Sequence, residues 1–101
     1  MFDSSRRFQV WLYTVSHGQL LIRSVKGSRQ PTRIDLLFTN VHSLDLPTTT
    51  EGLAIRRDGG GFALSGRGWR GSVTADAFLK AEDDLEYHAP SPFADSLLNR
   101  A

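Results

Sequence analysis

The chain has 101 residues, a formal net charge of +1, 40% hydrophobic residues and no cysteine. That is one domain's worth of chain, 1–101, with ten aromatics to build a modest core. It excludes disulfides and thiolate zinc sites, and no apolar run reaches the roughly 18 residues of a membrane helix. The polar start MFDSSRRFQV does not read as a signal peptide, so a cytoplasmic protein is the expectation.

Alternating segments separated by glycine, proline and threonine turns predict a mainly β fold. Phe8 to Val15 and Gln19 to Val25 form the first predicted hairpin, with His17-Gly18 suited to a two-residue type I′ turn. Arg33 to Thr39 alternates, with Ile34, Leu36 and Phe38 on one side and Asp35 and Leu37 on the other. After Asn40, Val41 to Leu46 reads as a short strand that groups His42 with Leu44 and Leu46, and 47–50 is read as a loop. Leu53 to Arg57 and Phe62 to Ser65 flank Asp58-Gly59-Gly60-Gly61, the clearest hairpin turn of the chain. Its pairing places Ile55 opposite Leu64 and Arg57 opposite Phe62.

Trp69 to Ala81 has two readings. As a strand to about Leu79 it lines Trp69, Val73, Ala75, Ala77 and Leu79 on one face; as a helix, Thr74 caps a segment bearing Phe78, Ala81 and Leu85. The strand is favoured because everything before it reads as β. Residues 88–101 form a tail that could dock on the sheet, with Ser91 able to cap a short helix showing Phe93, Leu97 and Leu98. The expected result is an antiparallel β-sandwich or partly open barrel of six or seven strands.

The first hairpin is apolar on both faces. Two-residue looping pairs Val15 with Leu20, Tyr13 with Ile22 and Trp11 with Ser24, leaving Phe8, Val10, Leu12, Leu21 and Val25 opposite. Leaving large apolar side chains in water forfeits roughly 1.5–3 kcal/mol each, so something should cover the second face. The rest of the protein, a second copy, or a ligand or other protein are the three coverings. The reading carried forward is an interaction module forming a homodimer, or binding another protein, through Trp11, Tyr13, Val15, Leu20 and Ile22. The alternative is a small ligand-binding barrel, with Trp11, Tyr13 or Trp69 lining a pocket.

Catalytic and metal signatures are thin. His17 reads as a turn residue, His42 as a partly buried packing residue and His88 as solvated; their spacing suits no metal, and no cofactor is implied. The acidic run Glu82-Asp83-Asp84 lacks the ligand spacing of a calcium loop. Arg67, Trp69 and Arg70 could stack on a base and hold phosphate, yet the near-neutral charge argues against nucleic acid. Charge is divided along the chain: net +5 up to Arg70 and net −4 from Gly71 onward.

The strings 15–24 (VSHGQLLIRS) and 90–93 (PSPF) resemble small bacterial proteins of unknown function. The resemblance implies no activity and transfers no site residue.

Overall fold

A computed structural model describes residues 1–93. Eight strands, β1 (Phe2–Thr14), β2 (Gln19–Ser24), β3 (Arg33–Thr39), β4 (Ser43–Asp45), β5 (Thr49–Asp58), β6 (Gly61–Gly66), β7 (Trp69–Thr74) and β8 (Ala77–Asp83), form one antiparallel sheet. The order is β4-β7-β6-β5-β1-β2-β3-β8.

That order dictates the shape. Chain neighbours β3 and β4 sit near opposite ends of the sheet, as do β7 and β8, yet only Asn40–His42 and Ala75–Asp76 link them. A flat eight-stranded sheet would be about 33 Å across, whereas such links span about 10–14 Å. The sheet therefore rolls until its two ends approach, without closing into a barrel. Two backbone hydrogen bonds stitch the crossing, from His42 N–H to Thr74 O at 2.8 Å and from Asp76 N–H to Thr39 O at 3.0 Å. One continuous sheet thus stands where a two-sheet sandwich was one of the expectations, and it has eight strands rather than six or seven.

Inside the roll lie Phe8, Leu20, Ile22, Ile34, Leu36, Phe38, Leu53, Ile55, Phe62, Leu64 and Val73, all buried. Five of the six phenylalanines meet there, with neighbouring ring centroids 5.1–6.3 Å apart. The Gly59-Gly60 hairpin has the expected register, Ile55 opposite Leu64 and Arg57 opposite Phe62.

Several expectations are corrected. β1 begins at Phe2 rather than Phe8, and 49–50 begins β5 instead of ending a loop, because Thr49 and Thr50 pair with Gln9 and Phe8. The segment 69–83 is two strands and no helix; the break at Ala75-Asp76 puts Phe78 inside and leaves Leu79 exposed. His42 is exposed, since the chain leaves the core after Val41. No helix occurs among the described residues, and none of them forms one long enough to cross a membrane. Leu97 and Leu98, expected on a C-terminal helix, lie outside the described residues.

The first hairpin departs most from expectation. Its turn is Val15–Gly18, four residues, with Thr14 opposite Gln19, Tyr13 opposite Leu20 and Leu12 opposite Leu21. Trp11 then sits in a bulge, after which Val10 faces Ile22. The extra residue shifts the alternation, so Phe8 and Val10 join Leu20 and Ile22 inside, while Leu12 and Leu21 face outward.

Candidate functional site

Every residue from Leu20 to Ser24 and from Arg33 to Phe38 is buried, so β2 and β3 are covered on both faces. The outer cover is the chain's own tail. Phe93 packs with Leu12 on Leu21 and Leu37. Arg33, 1% exposed, grips Asp83 through two hydrogen bonds (3.0 and 2.7 Å) and donates three more to the carbonyls of Glu86, Ala89 and Pro90. Arg23 binds both oxygens of Asp35 at 2.7 and 2.9 Å and reaches the carbonyl of Tyr87 at 2.8 Å. Ser91 Oγ donates to Asp35 Oδ2 at 2.5 Å and accepts from Phe93 N–H. Two arginines facing outward thus convert the carbonyls of an irregular segment into a satisfied lid. The guanidinium of Arg33 holds the Asp83 carboxyl below its ordinary range, assisted by the Leu85 N–H.

This lid also accounts for the charge division. Acidic residues late in the chain meet basic residues early in it, as in Arg33–Asp83, Lys26–Glu86 and Arg6–Glu82. Burial lowers the pKa of Arg6, and Glu82 opposes that shift. Arg6 also binds Ser24 and Thr32, tying β1 to the loop before β3.

The five residues proposed as an interface separate. Leu20 and Ile22 are core, whereas Trp11 and Tyr13 are each 39% exposed and Val15 is 81% exposed. The bulge lays the Trp11 ring over the Arg23 guanidinium, 4.8 Å from its centroid. Arg67, Trp69 and Arg70 separate as well. Trp69 packs against the core, while Arg67 in the β6–β7 turn and Arg70 on the outer face are exposed. The tail, not an external partner, lies over Arg23, Asp35, Leu21 and Leu37, a role that local alternation could not reveal.

One backbone feature remains at the surface. β1 overruns β5: pairing ends at Gln9–Thr49, and the last bond is from Val10 N–H to Thr48 O at 2.8 Å. Among the described residues, no strand pairs with Trp11–Thr14 on that side. The segment is therefore a short open edge, with alternate N–H and C=O groups directed away from β2. It lies in residues 8–22, the longest stretch of the chain free of Asp, Glu, Lys and Arg.

The terminal edges differ. β4 is three residues long, and β8 carries Lys80, whose ammonium turns inward over the Phe2 ring at 5.7 Å, followed by Glu82 and Asp83. Short length, an inward charge and acidic residues are devices that discourage edge pairing. The Trp11–Thr14 edge is nearly as short as β4, at four residues, but it carries neither an inward charge nor an acidic residue.

Comparison with protein-family models, with curated proteins and with solved structures finds no match. The resemblance of 15–24 and 90–93 to small bacterial proteins consequently has no family behind it.

Proposed function

We propose that the protein is a non-enzymatic β-rich interaction module whose partner is a second copy of itself, added along Trp11–Thr14. The observation that carries the reading is the uncharged edge of β1, paired on one side only among the described residues and bearing exposed Trp11 and Tyr13 beside exposed Val15. Two copies of one segment pair antiparallel about a two-fold axis, so such an edge is self-complementary. With no formal charge in the segment, the symmetric pairing opposes no like charges.

The expected affinity is modest. Taking about 200–250 Å² for a large aromatic, the three side chains leave about 300 Å² per protomer to cover. About 600 Å² for the pair is well under half of a standard interface of about 1,600 Å², so a weak, concentration-dependent dimer is expected. Light scattering across a dilution series tests this, with Tyr13→Lys as the comparison. The wild type should pass from dimer to monomer on dilution, and the variant should stay monomeric with an unchanged β-sheet circular dichroism spectrum. A wild type that is monomeric up to about millimolar concentration would refute the reading.

A further inference from the structure

On the outer face of β5, β6 and β7, away from the tail and the open edge, lies a groove of about 620 Å³, a size suited to a small ligand. We infer that it binds a soluble phosphate-bearing small molecule, held by Arg56 and Arg70 with Arg67 at its margin. The register builds it. Asp3, Ala54, Ser65 and Arg70 stand in one row across four strands, and Arg56 stands opposite Ala63 in the next row. Both arginines line the groove. A smaller recess beside it, bordered by Arg67, shares Asp3, Ala54 and Ser65.

Two features set this face apart. Its floor positions on central strands are Ala54, Ala63 and Ser65, where β-branched or aromatic residues would ordinarily pack; small side chains keep the floor open. Its arginines are also uncommitted. Arg6, Arg7, Arg23, Arg33 and Lys26 each face a carboxylate, and Arg57 and Lys80 lie over the Phe62 and Phe2 rings. Among the described residues Arg56, Arg67 and Arg70, like Arg29 elsewhere on the surface, have no carboxylate at ion-pair distance, and these three gather about one groove. Guanidinium forks match phosphate oxygens bidentately, and the Ser65 hydroxyl adds a donor on the floor.

The surrounding acids limit the ligand's size. Asp3 closes the β1 end, Glu51 borders the recess, and Asp45 stands opposite Ser72 beyond Arg70. A long polyanion or a flat anionic membrane would meet these carboxylates, whereas a small phosphorylated molecule fits between them.

Pyrophosphate is the probe, followed by amide chemical shifts in NMR at constant ionic strength. Saturable shifts should centre on Ala54, Ala63, Ser65 and Arg70, and binding should weaken at least about tenfold in Arg56→Gln/Arg70→Gln. Ser65→Val, which fills the floor without touching a charge, should also weaken it, and Arg29→Gln should not. Circular dichroism checks that each variant is folded. A linear drift matched by sodium chloride, or unchanged affinity in the double variant, would overturn the inference. So would citrate binding as tightly as pyrophosphate, or tighter binding to single-stranded DNA or to phosphatidylserine vesicles.

Discussion

The Arg23–Asp35 pair offers the sharpest test of how the tail is held. Both side chains are at most 3% exposed, and Asp35 accepts two bonds from Arg23 and one from Ser91. Arg23→Met removes two of those three donors and strands the carboxylate; breaking a buried pair costs about 3–5 kcal/mol. Against a total stability of about 5–15 kcal/mol, that is a large fraction. Asp35→Leu alone strands the guanidinium at similar cost. The double variant is different, because Leu21, Leu37, Leu12 and Phe93 already make the neighbourhood apolar. It forgoes the bonds to Tyr87 O and Ser91 Oγ, about 1 kcal/mol each, and should lie within about 2 kcal/mol of the wild type. The cycle therefore predicts a coupling of at least about 3 kcal/mol. Urea denaturation followed by tryptophan fluorescence measures it, with Trp11 stacked on Arg23 as a local reporter. Additive single costs, or a cost below about 1 kcal/mol for Arg23→Met, would show that the pair is hydrated and the tail is not closed over it.

Further outcomes follow from the same structure. Phe93→Ala, truncating a half-buried ring, should cost about 1–2 kcal/mol and speed amide exchange across 84–93. Stability should fall as acid protonates Asp83: its folded pKa is depressed, so its contribution is present above the unfolded carboxylate pKa of about 3.9 and is lost as pH falls through the folded value. Asp83→Asn should flatten that acid limb in a pH series of denaturation midpoints and lower stability at neutral pH. Gly71→Ala should weaken docking of β4, because a Cβ there runs into the carbonyl oxygen of Asp45; a midpoint shift equivalent to about 1–3 kcal/mol is expected. Trp11→Ser/Tyr13→Ser should weaken association in light scattering while the sheet signal persists, and unfolding of the monomer would assign those rings to the core instead.

Much of this architecture was legible along the chain. Alternation located β2, β3 and the β5–β6 hairpin, and Asp58-Gly59-Gly60-Gly61 set that hairpin's register, because both signals act between near neighbours. The two oily faces of the first hairpin implied a cover on both sides; β2 has one, whereas Trp11, Tyr13 and Val15 on the β1 side stay exposed. Alternation alone could not say what the cover is, since Arg23, Arg33, Asp35 and Ser91 look like ordinary surface residues until a distant tail returns to them. The bulge at Trp11 was hidden for a similar reason: it reconciles the β1–β2 pairing with the β1–β5 pairing, and neither strand encodes that agreement alone. The open edge and the arginine groove exist only because β5 stops short of Trp11 and β7 lies beside β6. Turn chemistry and period are local energies, already present in the residues, whereas strand order, overhang and burial of charge are decided when distant segments compete for the same surface.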